Sequence, residues 1–238
     1  MSGTISHYKV LLGEELSSKL AERGLLLSAD LSQGDSLWFV GQVPAVPRLT
    51  MAVECLVETL KGRMGMAAYA HLMSVEVAEV TRSFPLAARS KEWSDTDYDL
   101  SLVEMTAFNN YIKAGWYGVF DLDDEASVAS AAEWVMQCVR GPVGEWFSQR
   151  DSLAKLVGLA KYPTPKSVDQ ANPDAERLRA TVILCALNGR LADAAGLMGW
   201  YLQAGRFSDF DSFERATAFD IALRQRFPGY RDARELMA

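Results

Sequence analysis

The stretch from Asn172 to Gly205 constrains this chain more than any other, because it spells two helices joined by a turn too short for anything but an antiparallel hairpin. Asn172-Pro173-Asp174 is a strong helix start. Asn caps free N–H groups, Pro fits the first helical position, and Asp174 and Glu176 suit the positive end of the helix dipole. Leu178, Val182 and Cys185 line one face, which Leu184 and Leu187 broaden. Asn188-Gly189 stops the helix, since glycine takes the left-handed residue of a C-terminus without steric cost. A second helix then places Leu191, Ala194, Ala195, Met198, Tyr201 and Leu202 on one stripe, and Gly205 closes it. Small Ala and Gly residues let the helices approach closely, so neighbouring elements must cover what stays apolar.

Upstream, the pattern changes. Leu12, Leu16 and Leu20 predict a helix over 12–23 that Gly24 ends, with His7 beside a mobile terminus. Leu25–Ala29 and Ser36–Gln42 read as the arms of a hairpin, with Trp38 and Val40 on one face. Leu49–Leu60 fits a strand or a helix. The strand is favoured because Tyr69–Val80 also alternates and Gly62 and Gly65 lie between the two. Residues 82–99 read as a polar surface excursion with only Phe84, Leu86 and Trp93 to bury. Leu100–Phe108 is either a strand or a short helix, and Trp116–Leu122 is a strand.

Acids at Asp121, Asp123, Asp124 and Glu125 then open a helix striped by Val128, Ala132, Val135 and Val139. Gly141-Pro142 interrupts it ahead of a short helix carrying Trp146 and Phe147, and another helix runs over 151–161. Asp211-Ser-Phe-Glu214 has capping-box spacing, and the helix it begins ends at Pro228-Gly229. Strands gather in the first half and helices in the second. The expected class is α+β: an N-terminal antiparallel sheet with a helix, followed by a C-terminal helical bundle. The expected division is a sheet-rich part over 1–122 and a helical part over 123–238 packed on it as one compact unit, with a proline-containing linker at 162–172.

Composition narrows the function. The 238 residues carry a formal net charge of −7, which disfavours nucleic acid or an anionic membrane as the main partner and suits a basic protein. Cys55, Cys138 and Cys185 are odd in number and sit in apolar runs, which reads as buried free thiols in a reducing compartment. The N-terminal residues lack the pattern of a secretion signal and no apolar run is long enough for a membrane span, so residence in the cytoplasm is expected.

Catalytic signals are sparse. Only His7 and His71 are present, and Ser–His–Asp or Cys–His chemistry needs a histidine beside its nucleophile. His71 is the one candidate, with a structural histidine the expected role. No CxxC, HxH or HExxH occurs, so neither metal nor cofactor is expected. Ser152-Leu-Ala-Lys155 matches SxxK, but without KTG or SDN it reads as a helix cap. The Asp121–Glu125 acids read as helix-start residues. Asp95, Asp97 and Asp99 form a solvated acidic loop, in which Trp93 is the expected contact anchor.

Two resemblances add expectations. Gly189–Gly205 resembles the turn and second helix of one tetratricopeptide unit, without a second copy at that period. Leu12–Gly24 leading into strand patterns, Trp116–Phe120 entering the Val128–Val139 helix, and Gly141-Pro-Val-Gly-Glu-Trp-Phe together resemble small acidic bacterial immunity proteins of contact-delivered toxin systems. That resemblance implies a non-enzymatic protein that blocks a toxin by surface complementarity, with Trp93, Asp95, Asp97 and Asp99 as the partner-binding residues. Two other classes stay open. One is an enzyme built from scattered carboxylates such as Asp121 and Asp123, and the other is a structural or adaptor protein acting through its C-terminal helices.

Overall fold

A computed structural model describes residues 2–91, 99–115, 118–164 and 171–237. The class is α+β. In chain order come α1 (Ser2–Ala21), β1 (Leu26–Leu27), β2 (Ser36–Gln42), β3 (Thr50–Leu60), β4 (Arg63–Met73), α2 (Val75–Ser83), β5 (Leu102–Ala107) and β6 (Phe120–Asp121). The helices α3 (Glu125–Arg140), α4 (Pro142–Ser148), α5 (Leu153–Leu159), α6 (Ala175–Leu187), α7 (Leu191–Ala204), α8 (Phe213–Arg226) and α9 (Pro228–Leu236) follow. The strands form one sheet in the order β1-β2-β3-β4-β5, with β6 paired to β4.

Contacts divide the chain into two compact units that interleave along the sequence rather than dividing near residue 122. The first comprises Met1–Val43, Leu49–Leu72 and Met105–Ser148, so α3 and α4 belong with the sheet. Here α1 packs on β1, β2 and β3 and against α3. Leu12, Leu16 and Leu20 of α1 are fully buried, as are Phe39 of β2 and Val53, Cys55 and Val57 of β3. Truncating one such leucine to alanine costs about 2–5 kcal/mol. The α1 helix begins ten residues before the predicted start, and Tyr8 on its first half is buried, so His7 lies on a helix rather than beside a mobile end.

The strand reading of Leu49–Leu60 holds, and Leu102–Ala107 resolves as a strand. Between β3 and β4, Lys61 and Gly62 both take positive φ, at 50° and 82°. That is the backbone of a two-residue hairpin turn whose twist matches its strands, and it is why Gly62 stands there. The predicted alternation from Tyr69 to Val80 is half right. The strand stops at Met73, and the buried Ser74 accepts a hydrogen bond from Val77 N–H to start α2. Val75 and Val77 belong to that helix, where Val75 is exposed and Val77 buried.

The second unit comprises Pro44–Arg48, Met73–Glu104 and Gln149–Ala238. Its centre is the α6–α7 hairpin. The N-cap is Asp174, accepting from Arg177 N–H, rather than Asn172. At the other end Gly189 takes φ 72°, its N–H bonds Ala186 O, and Arg190 N–H bonds Cys185 O, so the turn residue satisfies the last carbonyls of α6. The capping box at Asp211 is displaced by one residue: Ser212 caps α8, accepting from Arg215 N–H. Pro228 ends α8 and also opens α9 as its first residue.

Buried charge locks this unit. The side chains of Arg179 and Asp211 are fully buried and paired twice, at 2.6 and 3.1 Å, and Arg179 also donates to Ala88 O. Tyr201 donates its hydroxyl to the same aspartate at 2.8 Å. Glu104 takes two bonds from Arg150 and one from Arg177, whose second terminal nitrogen, Nη2, donates to the carbonyls of Leu159 and Tyr162 at and just past the end of α5. Asp220 gathers Arg224, Arg234 and the Tyr230 hydroxyl, tying α9 to α8. The excursion predicted over 82–99 is less bare than its sequence implies: Phe84, Ala88 and Ser90 are buried, Phe84 against Phe219, whereas Leu86 is exposed.

Candidate functional site on the sheet

One face of the sheet in the first unit is apolar and buried beneath α1; the other carries chemistry. Strands alternate their side chains, so Ser36 and Trp38 of β2, Glu54 and Glu58 of β3, and Tyr69 and His71 of β4 come to the second face. Trp38 lies directly opposite Glu54 in the β2–β3 register. The Glu54 carboxylate is held from both sides. Ser36 donates its hydroxyl to Oε1 at 2.7 Å, and His71 Nε2 lies 3.1 Å from Oε2. The His71 ring sits 4.7 Å from Trp38 and 6.2 Å from Tyr69, centroid to centroid.

These contacts set the electrostatics. Burial raises the Glu54 carboxyl, but the hydrogen bonds from His71 and Ser36 and the charge of His71 together outweigh it and hold the acid below its ordinary value. Tyr69 is pushed up by burial and then by the negative charges of Glu58 and Glu54. Glu58 has no ion-pair partner among the described residues. Arg63, further along β4, is drawn to Asp121 and Asp123, 3.5 Å from each.

The constellation is not a serine–histidine pair. The acid stands between hydroxyl and imidazole, whereas nucleophile activation needs the imidazole on the hydroxyl. His71 is buried and bound to the Glu54 carboxylate. The face sets aromatic rings and carboxylates side by side.

The other sequence candidates fall elsewhere. Trp93, Asp95 and Asp97 lie outside the described residues, as does Trp116. Asp99 is exposed, and its Oδ1 accepts from both the N–H and the hydroxyl of Ser101, a local turn. Asp124 caps α3 in a reciprocal capping box with Ser127, which accounts for the acids at that helix start. Ser152 Oγ accepts from Lys155 N–H, and Lys155 Nζ pairs with Asp151 at 2.9 Å, so the SxxK match is a cap. The three cysteines are free and buried, with Cys55 and Cys185 pushed up to about 12 and Cys138 to about 11, all by burial first. Among the described residues no His, Cys, Asp and Glu gather as three metal ligands, and no helix is long and apolar enough to cross a membrane. A shallow groove of about 660 Å³ also runs along α1 beside Val10, Leu27 and Leu37, where Lys9 donates to the carbonyls of Ser32 and Gly34.

Sequence reasoning missed Glu54, Glu58 and Tyr69 because each is an ordinary strand residue until register brings them together. Alternation within Thr50–Leu60 was the available signal, since it leaves two glutamates on one face. Comparison with protein-family models, curated proteins and solved structures finds no match.

Proposed function

We propose that this chain is a non-catalytic binding protein of the immunity or inhibitor kind, acting in the cytoplasm, that blocks a basic protein partner by surface complementarity. One observation carries the reading: on the second face of the sheet, Glu54 and Glu58 share a face with Trp38 and Tyr69, and the Glu54 carboxylate is held by His71, whose ring lies against Trp38. Opposite fields speed encounter between such a face and a basic cleft, while aromatic side chains that become buried supply much of the affinity. The net charge of −7 supports the same partner class. In this reading the excursion of Trp93, Asp95, Asp97 and Asp99 is a second acidic patch offered to that partner.

Neutralisation is the test. The product of the reading frame beside this chain's gene is expressed in a host whose growth it arrests, with and without this protein. Wild type is expected to restore growth, and Glu58→Lys combined with Asp95→Lys and Asp97→Lys to fail while remaining folded. Restoration that survives all three reversals would refute the electrostatic account, and no complex with that product would refute the inhibitor account.

A further inference from the structure

We propose that this chain forms a two-fold dimer through the sheet edge at β1 and the adjoining face of α1, each copy filling the groove of the other. Among the described residues of the first unit, the large apolar side chains left exposed are Val10, Leu26, Leu27 and Leu31, at 58, 63, 46 and 43%. They are not scattered. Val10 and Leu27 line the groove along α1, and Leu26 and Leu31 flank Leu27 in the chain. Exposed apolar residues gathered at one corner mark a contact surface. The strand β1 is also the end of the sheet. Ser28 N–H bonds Trp38 O on the β2 side, so the alternation of an antiparallel ladder turns the N–H and C=O of Leu27 away from β2. Sheet edges are ordinarily guarded by charge or proline, and Leu26-Leu27 offers neither.

The α1 side of the groove identifies the occupant as a second copy. It is built from Ser6, Lys9, Val10, Gly13, Glu14 and Ser17. An antiparallel α1 crossing at the Leu11–Leu12 bond pairs this set with itself: Val10 of one copy comes level with Gly13 of the other, Lys9 with Glu14, and Ser6 with Ser17. Glycine leaves room for the valine, since the side chains at a helix contact set how closely the axes approach. The charges match as well. Glu14 is exposed and has no ion-pair partner among the described residues. The Lys9 ammonium gives two of its three donors to the carbonyls of Ser32 and Gly34, at 2.8 Å each, and has no carboxylate partner among the described residues. A two-fold contact uses the same patch on both subunits, so each patch must carry both halves of every pair. This one does so in shape, in charge and, through the outward N–H and C=O of Leu27, in backbone hydrogen bonding.

Light scattering on the full chain tests this across a concentration series up to about 100 μM, above the micromolar dissociation constants of modest interfaces. Wild type is expected to approach twice the 26.3 kDa of one chain. Val10→Asp puts a charge at the centre of the contact and is expected to leave a monomer with unchanged circular dichroism, since the valine is exposed in the single chain. Glu14→Lys is expected to weaken the dimer about tenfold, because a two-fold contact loses the ion pair twice. Gly13→Ala is expected to weaken it without loss of folding stability: the added methyl meets Leu37 at an ordinary 3.7 Å, and alanine favours a helix. Val75→Asp makes the same change at an exposed site on α2 and is expected to keep the wild-type mass. A wild-type monomer throughout the series, or a dimer that persists in Val10→Asp, would overturn the inference. A monomer whose restoration of growth fails with Val10→Asp would give the groove to the foreign partner and overturn it too.

Discussion

Arg179 and Asp211 meet through two parallel hydrogen bonds with neither side chain reaching solvent, thirty-two residues apart in the chain. The aspartate also accepts from Tyr201 and from Ser212 N–H, and the guanidinium lies 4.6 Å from the centroid of Phe219. One pair therefore joins α6, α7 and the start of α8. Two buried ions gain little over an apolar pair of equal volume, but a single survivor is costly.

Asp211→Asn is thus expected to destabilise the protein by about 3–5 kcal/mol, because it leaves a buried guanidinium without its counter-charge. Urea unfolding measures this. The double variant Arg179→Met, Asp211→Leu is expected to recover a large part of the loss, and equal losses in the two variants would count against a charge-pair explanation.

Acid should loosen the first unit through Glu54. Its folded value is depressed, so its contribution is fully present above the ordinary value of 4.5 and is lost as pH falls through 4.5 toward the folded value. Glu54→Gln is expected to flatten the stability profile in that window while leaving the profile near neutrality parallel to wild type. Chemical denaturation at a series of pH values checks the sign.

The cysteines should be silent in the native state. Thiols at about 11 to 12 carry almost no thiolate at pH 8, and all three are buried. A disulfide reagent at pH 8 is expected to label none of them until denaturant is added, and then all three. Rapid native labelling of any one would contradict this burial.

Ser74→Ala should cost about 1 kcal/mol, the usual worth of an N-cap. It should also lower amide protection in α2 first, since Val77 N–H loses its acceptor. Hydrogen exchange over residues 74–83 reads both effects.

That cap also shows where sequence reasoning stops. Leu12, Leu16 and Leu20 announced their helix, and Gly189 and Gly205 their turns, because spacing and backbone freedom are local properties. From Met73 onward the same local evidence misled: Val75 and Val77 continue a two-residue alternation as well as they begin a helix, and the decision rests with the Ser74 hydroxyl. Asp211 misled for the opposite reason. Its capping-box spacing was genuine, but a distant arginine claimed the carboxylate and passed the cap to Ser212. The sheet face was the least legible part. Trp38, Glu54, Glu58, Tyr69 and His71 come from three strands, and no spacing within one strand reveals what register sets beside it. The negative charge of the chain is legible from composition. The placement of a partner surface on Trp93, Asp95, Asp97 and Asp99 was read from one polar stretch alone, and of these the structure describes only Asp99.

The central claim is that this chain acts by presenting an acidic, aromatic sheet face to a basic protein. The most direct measurement is hydrogen exchange on the complex with the product of the neighbouring reading frame. The account expects new protection concentrated on β2, β3 and β4 around Trp38, Glu54, Glu58 and Tyr69, and the loss of that protection in Glu58→Lys. Protection confined to α7, α8 and α9, with those strands unchanged, would contradict it.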